Sequence, residues 1–159
     1  QISATLESMS YPGTLLDYTE VQFMLAEAAA RGFAVGGTAE SFYNAAIKAS
    51  FEFWGNTTAE ADTYLAQPNV AYATAAGDWK QKIGTQFWIA MYNKGFEGWN
   101  VWRRLDAPTF NLPQATKNPV PTRYTYPIRE RNLNKANYEQ ASSAIGGDKQ
   151  TTKLFWDVN

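Results

Sequence analysis

Residues 38–54 carry two apolar stripes side by side, and this doubling limits the possible folds more than any other feature of the chain. Phe42, Ala46, Ala49 and Phe53 recur at helical spacing, and Tyr43, Ile47, Ser50 and Trp54 recur beside them. Glu40, Asn44, Lys48 and Glu52 occupy the remaining, polar face. One partner helix covers one stripe, so a wider arc needs neighbours on two sides. Stacked helix–turn–helix units meet that need. The preceding segment supplies one neighbour. Asp17 and Glu20 have capping-box spacing, Val21, Met24, Leu25 and Ala28 form an apolar face, Glu27 and Arg31 pair at i, i+4, and Gly32 stops the helix. A loop over residues 33–37 then leads to Thr38, the cap of the second helix. The two helices read as one tetratricopeptide-type hairpin, with small residues such as Ala26, Ala29, Ala45 and Ala46 allowing close approach.

The same punctuation continues. Thr57 and Glu60 start a short third helix that runs to about Gln67, where Pro68 stops it. Asp78 and Gln81 open a long helix whose inward residues are Trp79, Ile83, Phe87, Ala90 and Met91, and Gly95 and Gly98 kink or split it. Five prolines between 106 and 128 exclude a helix there, and residues 123–126 read as a short extended piece. Asn134 caps a last helix through Ile145, closed by Gly146 and Gly147, and the apolar tail 154–157 is expected to dock on the core. Residues 1–16, with a turn at 11–13, read as extended. The expected fold is all-α, a single helical domain over residues 1–159: a tetratricopeptide-like hairpin, a long kinked helix and a proline-rich irregular segment. Leu25, Ala46, Phe87 and Trp102 are expected to be buried, so Trp102→Ala should cost about 3–5 kcal/mol.

Composition removes whole classes of function. The chain has no histidine and no cysteine, which excludes nucleophile–histidine pairs, thiolate metal sites and disulfides. None of its 15 acidic residues lies in a pattern that marks a catalytic pair, and Gly146-Gly147-Asp148 is a poor match to a calcium loop. No enzyme, metal site or cofactor is expected. A net charge of −1 argues against a nucleic-acid partner. That average conceals an uneven distribution: residues 1–79 hold nine acids and two bases, residues 80–159 six acids and twelve bases. Two halves packed together would offset each other; the alternative is a dipolar surface that orients the protein on a partner.

Several segments occur in a meaningful order. Tyr11-Pro12-Gly13 is followed by Tyr18-Thr-Glu20-Val-Gln-Phe-Met-Leu-Ala26-Glu27-Ala28 with Arg31-Gly32, then by Tyr43-Asn-Ala-Ala-Ile47 and Trp54-Gly55. Next come Gln86-Phe-Trp88 and Gly98-Trp99 with Trp102-Arg103-Arg104. Pro121-Thr-Arg123-Tyr-Thr-Tyr126-Pro127, Glu130, Asn137-Tyr138, Gly147-Asp148 and Phe155-Trp156-Asp157 complete the series. In this order, over nearly the whole chain, the sequence resembles the C-terminal portion of the SusD/RagB family. The resemblance implies a helical, tetratricopeptide-like surface lipoprotein of the Bacteroidetes outer membrane that binds glycans or other nutrients without catalysis. It implies a TonB-dependent, SusC-like transporter as partner and an oligosaccharide as ligand. Membrane attachment would come through an N-terminal lipid anchor absent from this chain, which reads as a fragment of a longer protein. The alternative is a helical-repeat protein-interaction module that binds no carbohydrate. As a fragment, it is expected to expose an apolar patch near its N-terminal hairpin and to self-associate.

A sugar platform needs an exposed indole or phenol face beside polar groups. Trp54, Tyr64, Tyr72 and Trp79 bracket the loop-rich stretch 54–79 and are the candidate ligand-binding residues. Trp88, Trp99 and Trp102 sit on an apolar helical face and read as core. Arg103 and Arg104 read as closing their helix and pairing with a local carboxylate, Glu97 or Asp106. Glu27 reads as a tether between helix and loop.

Overall fold

A computed structural model describes Leu6 and residues 9–11, 13–112, 114–115 and 118–157. Among the described residues there are seven helices and no strand: α1 (Tyr18–Ala30), α2 (Ala39–Phe53), α3 (Thr58–Leu65), α4 (Trp79–Ala90), α5 (Gly95–Leu105), α6 (Ile128–Leu133) and α7 (Lys135–Ala144). The all-α expectation holds. Pro12, Pro113 and most of residues 1–8, whose conformation the sequence reading addressed, lie outside the described residues.

Local chemistry sets the helix ends. Asp17 accepts the amide of Glu20, Thr57 and Glu60 form a reciprocal box, and Thr38 forms one with Ser41. Asp78 accepts the amides of Lys80 and Gln81. At the end of α1, Gly32 has φ +90 and donates to Ala29, while Phe33 donates to Ala28. Gly55 closes α2 the same way, with its own bond to Glu52 and that of Asn56 to Phe51. Both are six-to-one closures that need a left-handed residue, hence glycine.

The core lies between α1, α2 and α4. Phe23 and Phe87 stack with centroids 4.9 Å apart and planes at 13°, and Tyr43 meets Phe23 edge-on at 6.3 Å. The Tyr43 hydroxyl donates to the Val70 carbonyl at 2.7 Å, which ties the 66–78 loop to α2. Ile83, Met91, Val101 and Leu105 extend this cluster into α4 and α5. Gly84 lets α5 close on α4. A Cβ there would sit 2.8 Å from the Ala107 Cβ and 3.1 Å from the Leu105 Cβ. Gly84→Ala should therefore destabilise by about 1–3 kcal/mol as the contact spreads, measurable as a lower denaturation midpoint.

Several sequence expectations need correction. The buried face of α1 is Thr19, Glu20, Gln22, Phe23, Ala26 and Glu27; Met24 is exposed, and Val21, Leu25 and Ala28 are only half-buried. A polar face can be buried because its charges find distant partners. Lys94 Nζ lies 2.7 Å from Asp17 and 3.6 Å from Glu20, and Arg104 lies 3.1 Å from Glu27. These pairs join the acidic half of the chain to the basic half. Arg104 therefore reaches across to α1 instead of pairing with Glu97 or Asp106. Arg103 donates to the Thr122 carbonyl, and its guanidinium lies over Trp99 at 3.8 Å. Glu27, also paired with Arg31, links two helices as well as its own turn.

The long helix does split, but at Asn93 (φ 65), just before Gly95. Gly98 sits inside α5, where it faces Met91 and Trp88. Ala46 and Phe87 are buried as expected, whereas Trp102 is half-buried. The full cost of deleting a buried tryptophan is therefore not expected of Trp102→Ala. The last helix is α7, within a residue of the expected 134–145 at each end, and a short helix that was not expected, α6, precedes it. α6 follows Pro127, whose fixed φ suits a helix start, and Asn134 separates it from α7 without a side-chain cap. Residues 123–126 form no strand. They are held by Thr122 and Arg123 amides on the Gln150 carbonyl and by Asp148. The tail docks through Trp156, 5.1 Å from Arg103, and the buried Asp157, while Phe155 is exposed. At the hairpin, Tyr18, Met24 and Phe33 are exposed apolar side chains.

Candidate functional site

α5 cannot bury all its large side chains. Its inward stripe is Gly98, Val101 and Leu105, so Trp99 and Trp102, three apart, fall on the flank. The last turn of α4 adds Trp88, 38% exposed, and the turn after it adds Tyr92. The proline-rich segment returns over this surface. Phe110 meets Trp88 at 5.1 Å and Trp102 at 5.5 Å. These residues enclose an open cavity of about 410 Å³ lined by Trp88, Met91, Tyr92, Trp99, Trp102 and Phe110, with Gly95 and Gly98 at its base. The two glycines leave room that side chains would occupy.

Two further hollows share lining residues with this cavity. Trp99 also lines one of about 400 Å³ with Phe96, Pro121, Arg123, Tyr124 and Gln150. Its indole N–H donates to the Pro121 carbonyl at 2.7 Å, and Tyr124 meets its ring at 5.5 Å. Tyr92 also lines one of about 250 Å³ with Tyr11, Phe53, Trp54, Asn93 and Lys94, and its ring meets Trp54 at 5.5 Å. Joined by these shared residues, the hollows carry a track of rings: the Trp54–Tyr92 pair, Trp88 and Trp102 on either side of Phe110, and the Trp99–Tyr124 pair. Asn93, Lys94 and Gln150 add polar groups to the two outer hollows, and among the described residues no carboxylate lines any of the three. Such a surface offers flat π faces for stacking and few groups for bond-making chemistry.

Of the four sequence candidates, only Trp54 belongs to this track. Tyr64 packs on Phe51 and donates to Gln86 at 2.9 Å. Tyr72 meets Tyr43 at 5.2 Å with Lys82 over its ring, and burial raises its phenol pKa. Trp79 packs on the core under the Arg31 guanidinium at 5.1 Å. No ring contact joins any two of the four. Of the track residues that sequence reasoning assigned to the core, Trp88, Trp99 and Trp102, two were detectable by one signal. On α5, two indoles plus Val101 and Leu105 exceed what one short helix can turn inward; Trp88, at the end of α4, carries no such signal. Among the described residues no group of three or more acidic side chains is placed to hold a metal ion, and no helix is long and apolar enough to cross a membrane.

Comparison with known proteins agrees with this architecture. Residues 1–127 match the SusD-like family described as starch-binding and associating with the outer membrane. A Bacteroidetes SusD-like structure is 31% identical, covers 99% of this chain and superposes with a TM-score of 0.85. A chitin-binding SusD homologue from Flavobacterium johnsoniae is 31% identical over 91% of the chain, with a TM-score of 0.73. A SusD homologue from Bacteroides thetaiotaomicron is 26% identical over 96% of the chain, with a TM-score of 0.81. The chain spans 33%, 36% and 40% of these structures respectively. No curated protein matches it. By sequence over four-fifths of its length, and by a helical fold shared with these structures, the chain belongs to the SusD-like family.

Proposed function

We propose that the protein is a non-catalytic glycan-capture component of the outer-membrane surface. It holds an oligosaccharide on the ring track between Trp54 and Tyr124 and passes it to a TonB-dependent, SusC-like transporter. A lipid anchor would hold the whole protein at the membrane. The observation that carries the reading is the exposed track itself, with stacking faces in three joined hollows and hydrogen-bonding groups in the outer two. Family membership and the chitin-binding relative support a carbohydrate as the ligand. Hydrolysis of a glycoside uses two carboxylates flanking the bond, whereas among the described residues the hollows along the track present none. In this reading Trp54 is the sequence candidate that contacts ligand, and Tyr64, Tyr72 and Trp79 support the scaffold.

The test is calorimetric titration of the full-length protein with maltoheptaose and with chitohexaose. Trp88→Ala and Tyr92→Ala remove exposed rings from the track, so they should weaken binding at least tenfold. For Tyr92→Ala, at a ring 57% exposed, the melting temperature should change little, because surface substitutions cost within about 0.5 kcal/mol. Unchanged affinity in both variants would overturn the assignment of the track. A second reading is favoured by the nearly apolar lining of the central cavity: the same rings dock a protein. Co-purification with the cognate transporter, without affinity for any oligosaccharide, would support that reading instead.

A further inference from the structure

α5 has a second flank. Facing α1, it borders a separate cleft of about 380 Å³ lined by Glu20, Glu97, Asn100, Arg103, Arg104 and Trp156. Its chemistry differs from that of the ring track: acceptors and donors are interleaved around one indole.

Glu20, Arg103 and Arg104 are held in place by the protein itself. The Glu20 side chain is 8% exposed, yet among the described residues its Oε2 accepts no hydrogen bond, and Lys94 Nζ is 3.6 Å away. Burial raises the Glu20 pKa; Lys94 opposes the shift, and Asp17 and Glu97 add to it. Arg103 is clamped between two indoles, 3.8 Å from Trp99 and 5.1 Å from Trp156, and donates to Thr122 and Asn100. Its buried Nε donates to nothing among the described residues. Arg104 is committed to Glu27. Trp156, 39% exposed, closes one side with an apolar face.

This set selects by charge. An anion would meet Glu20 and Glu97, and the arginines that could hold it are already engaged. A cation would meet Lys94, Arg103 and Arg104. A neutral polyhydroxylated ring meets neither obstacle. Adjacent hydroxyls can donate to the carboxylates and accept from Asn100, and the C–H face can lie on the indole. The volume is at the lower end for ligand pockets, which suits one or two sugar units and not a long chain.

We propose that this cleft is a second carbohydrate subsite, taking a neutral sugar ring through hydroxyl hydrogen bonds to Glu20, Glu97 and Asn100 and stacking on Trp156. The proposal rests on the glycan reading above. It assigns the cleft to a branch or a chain end of a glycan, while the ring track holds the main chain by stacking.

The test uses the full-length protein and the same two probes, maltoheptaose and chitohexaose. Glu97→Gln keeps the shape of the cleft and removes one charged acceptor, and it should raise the dissociation constant at least fivefold. Met24→Trp, at an exposed residue lining the same cleft, should fill it and raise the constant similarly without touching any polar partner. Both variants should melt with wild type. If the wild-type protein binds a probe and neither variant weakens it, the second subsite is overturned and the glycan reading survives. If the wild-type protein binds neither probe, the glycan reading falls and the subsite with it.

Discussion

Phe87→Ala should lower the unfolding free energy by about 3–5 kcal/mol, the range for deleting a large aromatic from a packed core. Phe87 is 1% exposed and stacks face to face on Phe23, which is itself fully buried and leans on Tyr43. The ring is thus shared by α1, α2 and α4, and none of the three can close the gap without breaking its contact with the others. The Arg104 guanidinium, 5.9 Å from the same ring, would lose that contact too while remaining paired with Glu27. Denaturant titration measures the effect as a shift in midpoint at constant slope. A shift equivalent to less than about 1 kcal/mol, the level of an ordinary substitution, would contradict the assignment of Phe87 to the centre of the core.

Acid should release the C-terminal third before it melts the hairpin. Asp148, 2% exposed, gathers Arg123 at 2.8 Å, Arg131 at 2.9 Å, the Tyr138 hydroxyl at 3.2 Å and the Tyr126 amide at 3.0 Å. Burial alone would raise its pKa. The Tyr126 amide and the Arg131, Arg123 and Tyr138 hydrogen bonds outweigh burial and hold the pKa at about 2, against an ordinary 3.8. A depressed folded-state pKa means that Asp148 gives its full stabilisation above the ordinary value and loses it as pH falls from there toward about 2. Glu20 works in the opposite sense: its raised pKa makes protonation favour the folded form, so it does not drive the acid transition. The expected result is a transition in tyrosine fluorescence and protease sensitivity of residues 121–157 within that window. Asp148→Asn should already be protease-sensitive at neutral pH and should show little further change on acidification. An acid transition of unchanged size in Asp148→Asn would show that another carboxylate controls this region.

The parts of the fold that were legible in the sequence are those set by local chemistry. Asp17, Thr38, Thr57 and Asp78 all cap helices, because each needs only an amide two or three residues away. Gly32 ends its helix for an equally local reason. The buried face of α1 was not legible. Thr19, Glu20 and Glu27 look like surface residues until Lys94 and Arg104 arrive from far along the chain. α6 was hidden for a local reason. Proline density suggested an irregular segment throughout, but Pro127 sits at the helix entry, where its missing amide costs nothing. The ring track was half legible. Trp54 was identified from its place at the end of α2, whereas Trp88, Trp99 and Trp102 were assigned inward because a tryptophan on an apolar stripe usually is. What decided otherwise on α5 was competition for one short helix: Val101 and Leu105 took the inward positions and left the two larger rings on the flank.

The indole N–H resonances of the isotope-labelled protein, followed through titration with maltoheptaose and chitohexaose, test the central claim most directly. The chain carries six tryptophans, each with its own signal. If the ring track holds sugar, the signals of Trp54, Trp88 and Trp102 shift with a common saturation curve, and that of Trp79, packed on the core beneath Arg31, stays in place. Shifts at Trp79 with Trp88 and Trp102 unmoved, or no shift at any indole, would contradict it.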